Sequence, residues 1–346
     1  MSLTYLLTAI LNHPNLHTVN LSDNAFGSTA QVPLITFLSS HLPLEHLILA
    51  NNGLGPEAGS NIAQALATLG ASKKAISTTN GNTSSAPLSP SPPPPLKTII
   101  CGRNRLGDAS MKSWAKCYSM NTSLETIRMP QNGIRPDDIA ILLREGIVWN
   151  KGLKILDLQD NTFTARGSRA LAEILPELTE LTDLGIGDCL LSSRGGLAIA
   201  EALAKGNNKK LEFLRLQYNE LTAHATDEFV KAVKSDLPAL KRIELNGNKF
   251  DEDDQFVTDL RDIFRSRGYG ELDELDDMEE PDSEEEEEEE VSIEEEVLHE
   301  DQVRPNAARD VINKQVEEAE EEEVAQEEDK DTDELADILA KTHIAE

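Results

Sequence analysis

A chain of 346 residues that is 39% hydrophobic and 4% aromatic can bury a sizeable core, and a formal charge of -31 disfavours nucleic acid or an anionic membrane as a partner. The charge is uneven: residues 1–270 carry 28 acidic and 27 basic side chains, residues 271–346 carry 35 and 5. No apolar run reaches membrane-spanning length, Met1 to Leu11 lacks a basic start and a cleavage pattern, and Cys101, Cys117 and Cys189 form no disulfide framework or metal-ligand cluster. Secretion and membrane insertion are therefore not expected, and a reducing compartment fits best.

Along the chain the pattern L-x-x-L-x-L-x-x-N recurs eight times. It reads Leu16, Val19, Leu21, Asn24; then Leu44, Leu47, Leu49, Asn52; then Leu96, Ile99, Cys101, Asn104; then Leu124, Ile127, Met129, Asn132. Leu153, Leu156, Leu158, Asn161 are followed by Leu181, Leu184, Ile186, Cys189, with cysteine in place of asparagine. Leu211, Leu214, Leu216, Asn219 and Leu240, Ile243, Leu245, Asn248 complete the set. The marker positions are spaced 28, 52, 28, 29, 28, 30 and 29 apart, a register that chance clustering of leucine does not hold. This is the leucine-rich-repeat signature, and it predicts an α/β solenoid over 1–270, curved like ribonuclease inhibitor. A period near 28 leaves room for an amphipathic helix after each strand, as in Ala170-Leu171-Ile174-Leu175. Strands should line the concave face and helices the convex one.

The 52-residue interval holds an insert, placed at Ala75 to Pro95. It is rich in Ser, Thr and Asn, ends in Ser-Pro-Ser-Pro-Pro-Pro-Pro, and reads as a tolerated low-complexity loop after a helix at Ala58 to Leu69. At the other end, the acidic run from Asp282 to Glu290 repels itself, so 271–346 is expected to be a largely disordered tail. Leu335, Ile338, Leu339 and Ile344 give 331–344 the spacing of a short helix.

Enzyme signatures are scarce. There is no Walker-type glycine loop, no serine nucleophile elbow and no clustered histidines; His13, His17, His41 and His46 lie near repeat boundaries. The strand alternation instead places Asn20, Gly102, Arg128, Asp157, Arg215 and Glu244 at exposed or near-exposed sites. Marker asparagines such as Asn24, Asn52, Asn132, Asn161, Asn219 and Asn248 are expected to turn inward and satisfy backbone groups. Asn104 stands out because Arg103 and Arg105 flank it, a basic rim cluster suited to an acidic or phosphate-bearing partner. Gln131, Asp160 and Tyr218 occupy similar edges of later repeats.

Four segments add a resemblance. Leu16–Gly27 (LHTVNLSDNAFG), Ile100–Leu106 (ICGRNRL), Leu156–Thr164 (LDLQDNTFT) and Ser266–Asp277 (SRGYGELDELDD), with the acidic tail after it, resemble the GTPase-activating proteins of the small GTPase Ran. The likeness runs in order from about Leu6 to Asp282 and is strongest to fungal members, which lack the globular C-terminal domain of animal ones. The resemblance implies a cytoplasmic protein, near the cytoplasmic face of the nuclear pore, supporting nucleocytoplasmic transport. It would act as a monomer on Ran in its GTP form, with a Ran-binding protein able to join. GTP and Mg would belong to the partner, the activator having no cofactor and no GTPase site of its own. The family uses no arginine finger; an asparagine orients the catalytic glutamine of the GTPase, and the residue matched to it here is Asn104. Arg103, Arg105, Gln131, Asp160 and Tyr218 are the partner-binding candidates.

A neutral amide can donate to and accept from a glutamine, so it can position that side chain without serving as a base. One departure stands against full activity: family members carry further repeats before the Leu16 copy, including a cap and a supporting arginine, whereas Met1 to Leu11 are all that precede it here. The first solenoid face is thus expected to be exposed. The alternative is a non-catalytic leucine-rich-repeat scaffold, or an inactive truncated family member, which would bind without stimulating hydrolysis.

Overall fold

The computed structural model describes residues 2–81 and 92–279. The expectations for Asp282 to Glu290 and for a helix at 331–344 lie outside the described residues.

Each repeat begins with a three-residue strand. β1 (Thr18–Asn20), β2 (His46–Ile48), β3 (Thr98–Ile100), β4 (Thr126–Arg128), β5 (Ile155–Asp157), β6 (Asp183–Gly185), β7 (Phe213–Arg215) and β8 (Arg242–Glu244) are joined by the two-residue β9 (Glu271–Leu272). They form one parallel sheet in sequence order. The register aligns the central repeat positions, Val19 with Leu47, Leu47 with Ile99, and so on to Ile243 with Leu272. These central side chains point inward, because strand side chains alternate between faces, and those of β2 to β8 are fully buried.

The helices return the chain on the opposite side: α1 (Ser2–Ile10), α2 (Gln31–Ser40), α3 (Gly55–Gly81), α4 (Met111–Met120), α5 (Pro136–Ile141), α6 (Thr164–Ile174), α7 (Ser192–Leu203), α8 (Ala223–Ser235) and α9 (Gln255–Arg267). Neighbours pack in series, α2 on α3, α3 on α4, α6 on α7 and α7 on α8. After α5 the helix widens into a π turn over Leu142–Gly146. A Cβ on Gly146 would stand 2.7 Å from the Ala115 Cα, so that turn depends on glycine to approach α4. Strand, turn and helix thus bury one continuous core along residues 2–279.

Two boundaries differ from the sequence expectation. The insert does not begin as a loop at Ala75; α3 continues through Gly81, so the helix after the Asn52 repeat is longer than 58–69. Alanine, lysine and serine in that stretch are helix-tolerant, and the buried Lys73 ties it to the body of the solenoid. The solenoid also does not end at 270. Glu271–Leu272 adds the ninth strand, Leu275 is buried, and the Asp273 carboxylate accepts the Leu245 and Asn246 N–H groups at 2.8 and 3.1 Å. The first acidic residues of the supposed tail therefore cap the last repeat.

Candidate functional site

The marker asparagines build the edge of the solenoid where the strands end. Each side-chain oxygen accepts the backbone N–H of the preceding marker: Asn52 accepts from Asn24 at 3.1 Å, Asn104 from Asn52 at 3.0 Å, Asn132 from Asn104 at 3.0 Å, and Asn161 from Asn132 at 3.2 Å. Asn219 and Asn248 continue the ladder, accepting from Cys189 and Asn219 at 2.9 and 3.1 Å. At the sixth repeat Cys189 places its thiol near the Leu158 and Gly187 carbonyls, at 3.5 and 3.4 Å, and its sulfur meets the Asn161 N–H as a weak acceptor. Burial raises that thiol well above its ordinary range, so it acts as a small polar filler rather than a nucleophile.

The residue before each marker is turned outward. Asp23, Asn51, Arg103, Gln131, Asp160, Asp188 and Tyr218 all have positive φ, between 53° and 62°. Left-handed backbone costs a non-glycine residue about 1 kcal/mol or more, and here it is imposed by hydrogen bonding. The N–H of Asn51 donates to the Gly102 carbonyl at 2.9 Å, that of Arg103 to Pro130 at 2.9 Å, that of Gln131 to Gln159 at 2.9 Å, and that of Asp160 to Gly187 at 3.0 Å. Pinned on one side by this rung and on the other by the marker amide, the turn holds its side chain in solvent. All seven are exposed. The eighth position is Gly247, at φ 71°, and a Cβ there would stand 2.2 Å from the Tyr218 ring, which lies over it.

Of the sequence candidates, the structure sets Arg103, Arg105, Gln131, Asp160 and Tyr218 along this one rim. Arg103 and Arg105 make no ion pair among the described residues, and their guanidinium groups face solvent. Asp160 has its carboxyl raised by partial burial first and by the like charge of Asp188 second, with Arg103 opposing. The Tyr218 hydroxyl donates to the Asp277 carboxylate at 3.0 Å, which raises its own pKa.

Asn104 does not join them. It is fully buried, its Nδ2 donates to the Leu49 and Gly102 carbonyls at 2.9 and 3.0 Å, and its oxygen is spent on Asn52. Its amide has the same duty as the other buried markers and presents no group to solvent. Among the residues that precede a marker the asparagine is Asn51, exposed, with its Nδ2 donating to Asp23 at 2.9 Å; the first marker, Asn24, is exposed as well, with its Nδ2 on the Leu21 and Ser22 carbonyls. Reading Asn51 as the counterpart of Arg103, one position before its marker, would have found it. Two strand positions expected to be open are also closed: Gly102 is buried against Pro130, and Asp157 is 5% exposed, with Arg128 3.6 Å away.

Below the rim, the concave floor of the later repeats is polar and paired. Arg215 reaches Asp183 at 2.6 Å and Glu244 at 3.8 Å, while Gln217 donates to Gln159 at 2.9 Å across the bare Gly187. These charges neutralise one another, whereas Arg103 and Arg105 on the rim stay unpaired among the described residues.

Comparison with known proteins agrees with the repeat reading. A leucine-rich-repeat family model matches residues 150–172. Ran GTPase-activating protein 1 of Saccharomyces cerevisiae is 38% identical over 270 residues, 77% of this chain and 62% of that protein. Over this stretch the two are homologues. The Ran GTPase-activating protein of Drosophila melanogaster is 30% identical over 240 residues, 69% of this chain and 37% of its own length. The chain thus spans less than two thirds of the length of these relatives. Among solved structures, an internalin of Listeria monocytogenes superposes with a TM-score of 0.42 at 17% identity, covering 80% of this chain and 69% of that one. Among the described residues no helix is long and apolar enough to cross a membrane, and no group of three or more His, Cys, Asp or Glu could hold a metal ion.

Proposed function

We propose that this chain stimulates GTP hydrolysis by a Ran-type GTPase, acting on the active site of its partner and contributing no nucleotide site. The homology over 270 residues carries this reading, and the rim supplies its chemistry. GTP and Mg arrive with the partner. Hydrolysis needs a water held in line with the terminal phosphate, so an activator that fixes the partner's glutamine lowers the entropic part of the barrier. Asn51 is the side chain suited to fixing it, since its exposed amide is donor and acceptor together and sits on a turn held by backbone rungs. Asn104 acts one step behind, as a positioning residue whose amide fixes the turns carrying Asn51 and Arg103. Arg103 and Arg105 dock acidic groups beside the nucleotide without entering it as an arginine finger, and Gln131 offers a second amide next to them. Asp160 and Tyr218 extend the contact toward the C-terminal repeats.

In this reading the chain is a fungal-type activator. It works as a monomer in the cytoplasm near the nuclear pore, meets Ran in its GTP form, and leaves room for a Ran-binding protein. Single-turnover GTP hydrolysis by Ran with the full chain tests it. The expected result is saturable stimulation, lost in Asn51→Ala, with Arg103→Ala raising the concentration needed for half-maximal rate. An Arg103→Ala variant that saturates normally but at a collapsed rate would instead make Arg103 a finger. Binding of Ran without stimulation would make the chain a scaffold.

A further inference from the structure

Lys73, on α3, is 5% exposed. An ammonium has three N–H donors, and here two are spent on the Leu44 and Pro94 carbonyls, at 2.5 and 2.7 Å. Among the described residues no carboxylate comes within ion-pair distance of it. Burial lowers its pKa to about 8, with Glu45 opposing from a distance, so at neutral pH it remains largely a cation. A buried charge is ordinarily paired; this one is compensated by two carbonyl dipoles alone.

Beside it lies a half-open cavity of about 330 Å³, on the side of the solenoid away from the rim. The proline-rich segment re-enters the solenoid along its wall at Pro93 and Pro95. Its polar lining is Lys73, Lys74, Ser77, Ser119, Thr122 and Ser123, with Asn121 beneath them, and no acidic side chain contributes. The Ser77 and Ser119 hydroxyls donate to the Lys73 and Lys116 carbonyls, each at 2.9 Å, which leaves two cations, the Thr122 and Ser123 hydroxyls and one unspent ammonium N–H on the lining of an opening with no anionic group of its own.

We propose that this cavity is an anion site that holds a phosphate group, free or as a phosphomonoester, against the Lys73 ammonium. A tetrahedral dianion meets the third N–H of Lys73 and the second charge of Lys74, and its remaining oxygens accept from the Thr122 and Ser123 hydroxyls. The site would fasten the start and end of the insert, since Lys73 lies before it and Pro93 and Pro95 close it.

Calorimetric titration of inorganic phosphate into the full chain, at ionic strength fixed with chloride, tests the proposal. Saturable binding is expected in the wild type, at least tenfold weaker binding in Lys74→Ala, and none in Lys73→Met. Because Lys73→Met alters a buried position, the surface pair Lys74→Ala with Ser123→Ala provides the same test in an intact fold. O-phosphoserine as a second titrant separates the sources: a tenfold preference for it marks a phosphomonoester ligand, equal binding marks free phosphate. No saturable heat in the wild type, or equal binding in the wild type and the surface pair, overturns the site.

Discussion

Asn51 and Asn104 carry the same side chain in consecutive repeats, and the two differ in what surrounds the amide. Asn104 has both ends of its side chain bonded in the core, whereas Asn51 keeps one contact, with Asp23, and faces solvent. The two alanine variants should therefore fail in different ways. Asn104→Ala leaves the buried Asn52 N–H without a partner and takes one of two donors from each of the Leu49 and Gly102 carbonyls, which keep the Asn52 side chain and the Asn51 N–H, a loss on the order of 2–4 kcal/mol from one orphaned donor and two lost hydrogen bonds. Its melting temperature should fall by roughly 5–10 °C for a domain of this size, read by calorimetry. Asn51→Ala should melt with the wild type and lose about 100-fold in stimulated single-turnover rate, the scale of a misplaced reacting group. Equal melting of Asn104→Ala and the wild type would remove the structural role assigned to it. Lys73 gives a pH signature of its own. Its folded pKa near 8 lies below the ordinary 10.5, so between those values the unfolded chain holds more protons and stability rises with pH. In phosphate-free buffer, chemical denaturation from pH 7.5 to 10.5 should show that rise in the wild type relative to Lys73→Met; parallel curves would contradict it.

At the scale of the repeat, strand, marker and rim are legible from the leucine spacing because the solenoid applies one geometry eight times. A side chain's place in the period fixes whether it faces core, floor or rim, and Leu47, Ile127 and Leu214 need no further information. Asn104 attracts a functional reading in the sequence because its arginine neighbours single out the marker itself, although those neighbours are the exposed residues. The floor is harder to read, since Asp157 becomes buried only when Arg128 and Asp183 are brought beside it by the adjacent strands. The Cys189 irregularity is visible in the sequence, and its consequence is structural. The Asn161 N–H meets the Cys189 sulfur, a weak acceptor, where the other repeats offer an amide oxygen, so the ladder is weaker between the fifth and sixth repeats. Cys189→Asn restores the missing acceptor and donor and should add about 1 kcal/mol, or roughly 2–4 °C in melting temperature. An unchanged or lower melting temperature would mean that the sulfur already fills the rung, or that the amide does not fit.

Over the whole molecule, composition locates a real change of character near residue 270 but not the end of the fold. Charge counting assigns every acidic residue after Gly270 to one tail, because it cannot see that Asp273 meets two strand N–H groups or that Leu275 enters the core. A solenoid needs its terminal repeat covered, and here the cover is built from acidic residues. Asp276 accepts from Asn246 at 3.0 Å, the Asp277 N–H donates back to the Asn246 side chain at 3.0 Å, and the Glu279 N–H reaches the Asn248 carbonyl at 3.1 Å. The same segment anchors Tyr218 through Asp277, so the cap and the last rim residue are mechanically joined. A chain ending at Gly270 loses β9, the Asp273 contacts and the buried Leu275 together, on the order of 3–5 kcal/mol from one apolar side chain and several hydrogen bonds. It should melt roughly 10 °C below a chain ending at Glu279, with amide exchange accelerated first in β8 and α9 and then spreading toward the middle of the repeat array. Indistinguishable melting of the two shortened chains would show that α9 alone closes the solenoid and that 271–279 merely rests on it.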